Sequence, residues 1–230
     1  GNKELNYSNL VKNHKEKVLC IVAHPDDEAL GVGGTLIKHI ESGDNVDIII
    51  FSEGEDAKVI KKNKDSKRTQ HAKDWCTLTG CNLYALYDFP DQALDTVPQI
   101  KMIKLLEQAI TEIQPSIVYI HHPGDMNSDH QTVAQVSLAA MRPMNKNIIQ
   151  PEIRAFETPS STDQSPMIEP YLFKPNFYVS VAEQWDKKIK SLKIYSKELG
   201  KGSHPRSLSA IKSLARKRGS ESGFYLSEAF

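Results

Sequence analysis

The sequence predicts a doubly wound α/β protein, with a mostly parallel sheet and helices on both faces, forming a single domain over 17–230 behind a polar lead-in at 1–16. Three observations predict it. Short apolar runs rich in Val, Ile and Leu alternate four times with segments of helical periodicity, the pattern that right-handed βαβ units impose. The first run is apolar on both of its faces, as a strand buried in a parallel sheet must be. No composition shift marks a seam between domains, and 230 residues suffice for one sizeable core.

The lead-in is polar and basic, so it is expected to be loosely docked. The first strand occupies 17–23 (KVLCIVA) and ends at His24. Pro25 stops the ladder because it has no N–H, and Asp26, Asp27 and Glu28 suit the first turn of a helix over 28–42, closed by Gly43. A second strand at 45–52 (NVDIIIFS) is closed by Glu53-Gly54. The charge-rich stretch 55–67 reads as a solvated helix start or a loop over the cleft. A helix over 68–78 ends at Gly80, and 82–87 form the third strand. After the Phe89-Pro90-Asp91 loop, Ile100, Ile103, Leu106, Ile110 and Ile113 make the apolar stripe of a helix over 97–114. The fourth strand, 116–120, runs into HHPGDMNSDH (121–130), and a helix begins near Gln131. Strands at 152–157 and 176–181 and helices at 182–199 and 207–218 complete the pattern. Between them, 158–175 is rich in Pro, Ser and Thr, and is expected to pack over the active-site face and set specificity.

Lys and Arg number 29 and Asp and Glu number 29, so no global field favours nucleic acid or a membrane surface. No apolar run approaches the ~20 residues that span a bilayer. No signal-peptide pattern precedes the first strand, so the expectation is a cytoplasmic protein, with homo-oligomer formation left open. Cys20, Cys76 and Cys81 are odd in number and lack CxxC spacing, which argues against a disulfide framework or a thiolate zinc knuckle.

The chemistry collects at strand ends. In open α/β sheets ligands bind beyond the carboxyl ends of strands, which places His24, Asp26 and Asp27 at the mouth of a cleft. A helix cap needs one acid; a histidine followed by three acids crowds negative charge that a cation would neutralise. Strands one and four flank the switch point in the usual doubly wound order, so His24 and His130 can approach each other across it. Two neutral imidazoles and one carboxylate are the ligand set of many catalytic zinc sites. A nucleotide site is disfavoured, because Gly31-Val32-Gly33-Gly34 lacks the GxGxxG spacing and acids precede it.

AHPDDE at 23–28, Gly33-Gly34 behind it and Asp129-His130 after the fourth strand resemble the PIG-L/LmbE-like zinc-dependent N-acetylglucosaminyl deacetylases of bacterial type. HPRS at 204–207 and the segment from Ser222 to Phe230 resemble the closing motifs of bacterial members. The resemblance covers most of the chain from Lys17 and implies a Rossmann-like fold. It also implies one Zn2+ per chain on His24, Asp27 and His130, with another divalent transition metal as the alternative. Asp26 is then the general base: zinc lowers the pKa of water and polarises an amide carbonyl, and Asp26 takes the proton, so that acetate and a free amine result.

The remaining roles also come from the resemblance. Relatives carry a histidine three residues before the last zinc ligand; here it is Asn127, which can donate a hydrogen bond but cannot supply a proton. His204, and after it His122, are the candidates for that acid. Arg68 matches an arginine that meets the sugar or phosphate of the substrate, Asp91 an acid that faces substrate hydroxyls, and Asp125 is a further substrate candidate. Asp129 is expected to orient His24 or His130 from behind, and Glu28 to orient a ligand or cap its helix. The implied substrate is an N-acetylated amino sugar, sugar nucleotide or glycoconjugate precursor. The alternatives are a zinc amidase on a non-sugar acyl amide and a non-catalytic ligand-binding protein of the same fold.

Overall fold

The computed structural model describes residues 15–53 and 67–230. The lead-in before 15 and the charge-rich stretch over 54–66 lie outside the described residues.

Five parallel strands form the central sheet: β1 (Lys17–Val22), β2 (Asn45–Ile50), β3 (Asn82–Leu86), β4 (Ile117–His121) and β5 (Glu152–Phe156). Their order is β3-β2-β1-β4-β5, so the chain builds outward from β1 in one direction and then returns to build in the other from β4. The switch point therefore lies between β1 and β4, whose carboxyl ends carry His24 and His121 to His130.

Alternation along the strands divides the core into two. Val18, Cys20 and Val22 face Leu36, Trp75, Trp185 and Ile211 of the helices α2 (Gly33–Glu41), α3 (Lys67–Thr79), α6 (Trp185–Leu192) and α7 (Leu208–Ser222). Leu19, Ile21 and Ala23 face Met102, Leu106, Val133 and Val136 of α4 (Gln99–Ile113) and α5 (Ser128–Ala140). With apolar contacts on both faces, β1 has no polar side to alternate, which is why it reads as a continuous apolar run. Helices on both faces of a parallel sheet make the fold doubly wound.

Several boundaries differ from the sequence reading. The helix expected over 28–42 is two: the short α1 (Asp27–Gly31) and α2, separated at Val32 (φ −136°, ψ 8°). Gly31 sits where an added Cβ would fall 2.3 Å from Cδ2 of Phe156, so close packing against β5 fixes the break. The helix after β4 begins at Ser128, three residues earlier than expected, because the Asn127 side chain caps it by accepting the Asp129 N–H at 2.9 Å. The helix expected over 182–199 is α6 followed by a 3-10 turn at Lys193–Tyr195. The strand expected at 176–181 is β6 (Tyr178–Ser180), which leaves the main sheet to pair antiparallel with β7 (Ser227–Ala229), a strand the sequence reading did not anticipate.

Candidate active site

The β1–α1 turn delivers three acids to one point by an unusual backbone. Asp26 has φ 107°, a left-handed conformation that non-glycine residues adopt rarely, and it follows Pro25 at the strand end. The turn folds Asp27 back so that its Oδ2 accepts the His24 N–H at 3.0 Å. Asp27 is buried, and its Oδ2 lies 3.4 Å from His24 Nδ1 and 3.2 Å from His130 Nε2. The ligand atoms of His24, Asp27 and His130 thus lie within 4.8 Å of one another.

Each imidazole is fixed by a carboxylate on its other nitrogen. His24 Nε2 lies 2.8 Å from Asp129 Oδ2, and Asp129 is itself held by the Gln92 N–H at 2.8 Å and the Leu94 N–H at 3.0 Å. Asp91 Oδ1 approaches the same His24 nitrogen at 3.1 Å. His130 Nδ1 lies 3.3 Å from Asp125 Oδ2. Nδ1 of His24 and Nε2 of His130 therefore both point at Asp27. His24, Asp91 and Asp129 form a second close group, but there both acids flank the one nitrogen that hydrogen-bonds to Asp129. The His24–Asp27–His130 group is the better metal site.

The electrostatics call for a cation. Burial disfavours protonated His130, yet Asp27 and Asp125 outweigh it and push its pKa up to about 9. Burial likewise works against protonated His24, and hydrogen bonds to Asp129, Asp27 and Asp91 outweigh it to raise its pKa. Burial would raise the Asp27 carboxyl, but His130 and His121 hold it well below the usual range. Burial and neighbouring Asp27 push Asp26 up to about 7, against the pull of Arg206 and Arg68. Burial pushes Glu28 up to about 8 even though Tyr195 donates to its Oε1 at 2.6 Å.

Several candidate residues have partners that the sequence did not show. Asp125 is buried and accepts from the Ser161 hydroxyl, from Thr162 Oγ1 at 2.6 Å and from the Asn127 N–H at 2.8 Å, which aims it at His130. Asp91 shares Nε2 of His24 with Asp129. Glu28 is an acid in the first turn of α1, and its Oε2 accepts the N–H of Asp26, the residue at the start of that helix, at 3.1 Å, which braces the turn. Asn127 spends its side-chain oxygen on the α5 cap. His204 is exposed and turned to its own loop, where its Nδ1 accepts the Arg206 N–H at 3.0 Å. His122 packs on Phe173 with Nε2 2.9 Å from the Tyr171 carbonyl. Arg68 is half-buried, with Nη2 3.3 Å from Glu198 Oε2.

Two residues without an assigned role in the sequence reading belong to the cluster. His121 stacks on His130 with ring centroids 3.9 Å apart, and its Nε2 accepts the Ala23 N–H at 3.0 Å. Burial and His130 lower its pKa to about 4, so it is a neutral spacer. Its place as the last residue of β4, beside the switch point, was the available signal. Arg206 donates from Nη1 to Asp26 Oδ2 at 3.1 Å; it lies in the HPRS segment, two residues after His204.

The family model described as PIG-L: GlcNAc-PI de-N-acetylase matches residues 19–141, just over half the chain. The chain belongs to this family. The matched PIG-L segment holds His24, Asp26, Asp27, Asp125, Asp129 and His130, whereas Arg206 lies beyond it. A diacetylchitobiose deacetylase of Thermococcus kodakarensis is 25% identical over 198 residues, covering 81% of this chain and 71% of the relative. Among solved structures, an N,N'-diacetylchitobiose deacetylase of Pyrococcus horikoshii superposes with TM-score 0.72 at 20% identity, covering 94% of this chain and 82% of that one. A 4-carboxy-2-hydroxymuconate hydratase of Pseudomonas putida superposes with TM-score 0.70 at 18% identity, covering 93% and 95%. Since a hydratase shares the fold, the fold alone does not name the reaction, and the site must carry that argument. Among the described residues no helix is long and apolar enough to cross a membrane.

Proposed function

We propose that this PIG-L family protein is a zinc-dependent deacetylase that hydrolyses the acetamide of an N-acetylated amino sugar. His24, Asp27 and His130 hold the metal in this reading, and Asp26 is the general base. The observation that carries it is the convergence of His24 Nδ1 and His130 Nε2 on Asp27 Oδ2, with the buried, non-ligating carboxyl of Asp26 beside them. Two imidazoles oriented from behind and one carboxylate fit Zn2+, and the raised pKa of each imidazole marks a place where positive charge is stabilised.

When bound there, zinc would polarise the acetamide carbonyl and lower the pKa of water. The protein's part is proton traffic and orientation. With its pKa pushed up to about 7, Asp26 is matched to take a proton from water near neutral pH. Asn127 has no proton to give, His204 is turned outward and His122 faces Tyr171, so the proton that Asp26 accepts is the one returned to the leaving amine. In this reading a single carboxylate serves where the resemblance implied a separate histidine acid. Asp125 and Asp129 fix the tautomers of the two imidazoles by accepting from the nitrogens that face away from the metal.

The sugar assignment draws on the family description and the Thermococcus relative, both of which name N-acetylglucosamine-type amides. The test measures acetate release from N-acetylglucosamine, diacetylchitobiose and a sugar-nucleotide panel by metal-stripped, zinc-restored and Asp26→Asn protein. Release should require metal and fall ~10²- to 10⁴-fold in Asp26→Asn at unchanged zinc content. Stoichiometric zinc with no acetate from any compound would sink the deacetylase reading in favour of a ligand-binding protein.

A further inference from the structure

Besides Gln92 (φ 53°), whose N–H meets Asp129, two non-glycine residues around the site hold left-handed backbone: Asp26 (φ 107°) after β1 and Ser160 (φ 66°) after β5. Such conformations persist where the surroundings over-determine them. One side chain meets both. Arg206 donates from Nη1 to Asp26 Oδ2 at 3.1 Å, and from Nε to Ser160 Oγ at 2.6 Å and the Pro159 carbonyl at 3.2 Å. The arginine is itself anchored at both backbone groups, its N–H by His204 Nδ1 at 3.0 Å and its carbonyl by the Gly200 N–H at 3.2 Å. The next residue, Ser207, caps α7 by accepting the Ala210 N–H at 3.2 Å. A planar guanidinium thus reaches the turn from the rigid start of a helix, with its donors divided between the carboxyl of Asp26 and a second strained residue.

We propose that Arg206 is a positioning residue that clamps the Asp26 carboxylate by tying it to Ser160 and Pro159. The inference rests on the reading of Asp26 as general base, because Arg206 acts through Asp26 and hydrogen-bonds to no other member of the cluster among the described residues. With Oδ2 held by the guanidinium, Oδ1 makes no hydrogen bond among the described residues and is the oxygen left to take a proton. The fork matters more than the charge: a lysine ammonium is a single point on a flexible stem and cannot hold Asp26 and Ser160 in one plane. His204, expected as an acid, supports the clamp through its ring nitrogen.

The experiment is a double-mutant cycle on the zinc-loaded full chain: wild type, Arg206→Met, Asp26→Asn and the pair, with Arg206→Lys alongside. Arg206→Met should lower kcat by ~10²-fold, as loss of orientation does, with KM and zinc stoichiometry nearly unchanged. Arg206→Lys should recover less than a tenth of the loss. In the Asp26→Asn background the same change should cost less than about threefold, because the carboxylate it positions is gone. Equal losses in both backgrounds, or a raised KM at full kcat, would overturn the clamp.

The cycle is also read as melting temperatures of the metal-stripped proteins, a readout that needs no turnover. Non-additive shifts are expected, and additive ones overturn the clamp whatever the activities show. A wild type that releases no acetate, or an Asp26→Asn protein as fast as wild type, instead overturns the reading of Asp26 as base, and the melting cycle then decides the clamp alone.

Discussion

His130 shows how much of this site is built behind its ligands. Its Nε2 faces Asp27, while Asp125, Ser161 and Thr162 form a buried polar set behind Nδ1. Asp125 uses both oxygens, so an amide there would meet at least one N–H or O–H donor with another donor. Asp125→Asn is expected to weaken zinc binding ~10- to 100-fold with little change in secondary structure, measured by competition against a chromophoric chelator. An unchanged affinity would remove Asp125 from the support of His130. In the sequence Asp125 was an acid near a histidine, and nothing local distinguished a substrate contact from a buried brace. The distinction depends on Ser161 and Thr162, residues of the 158–175 connection, whose buried hydroxyls lie against the cluster. Arg206 was hidden for the same reason: its partner Asp26 is 180 residues away in the chain.

At the scale of elements, the start of α2 shows why Gly33-Gly34 follows the acidic turn. Helix α2 has no capping side chain of its own, and its first N–H groups are met by Glu228 from β7. Glu228 Oε1 accepts from the Gly34 N–H at 2.7 Å, and Oε2 accepts from the Thr35 N–H at 2.7 Å and from Thr35 Oγ1 at 2.6 Å. A carboxylate is favoured there by the unpaired donors and the helix dipole, and Lys188 balances its charge at 2.6 Å. A Cβ on Gly34 would lie 2.9 Å from Glu228 Oε1 and 2.9 Å from Val181 Cβ, so only glycine admits this cap. Gly34→Ala should therefore destabilise by about 1–3 kcal/mol, the range for overpacking, read by chemical denaturation. A neutral result would mean that β7 can move away at no cost. The glycine pair was legible as a close-packing signal, and the Ser222 to Phe230 ending as a motif. That the one exists to receive the other could be seen only after β6 and β7 had folded over α2.

On the scale of the whole molecule, the site is a set of buried acids and imidazoles, in which Asp26 pairs with Arg206 while Asp27 and Asp125 face imidazoles. Asp26 and Glu28, with pKa values pushed up to about 7 and about 8 chiefly by burial, and His130, at about 9, all bind protons more tightly folded than unfolded. Their contribution to stability is complete below the unfolded pKa values and is lost as pH rises through the folded ones. Metal-stripped protein should therefore show a Tm that falls from about pH 6 to pH 9, and saturating zinc should flatten the slope by supplying the positive charge that the protons supplied. Differential scanning fluorimetry at matched ionic strength checks this; a Tm that is flat or rising in the stripped protein would show that the charges are not coupled as described.

The same distance in scale separates what could be read from the chain and what could not. Strand and helix alternation, the switch point between the first and fourth strands, and the family motifs were legible because they depend on local periodicity and on short segments at strand ends. The sheet order and the PIG-L family match bear out those readings. Side-chain partnership was not legible: whether an acid braces a histidine, caps a distant helix or meets a substrate depends on which donors the fold brings within 3 Å of it. Asp125 with Ser161, Asp26 with Arg206 and Gly34 with Glu228 are each joined across many residues of chain. Hydrogen bonds and close packing are short-ranged in space and indifferent to separation in sequence, so only the assembled tertiary structure could assign them.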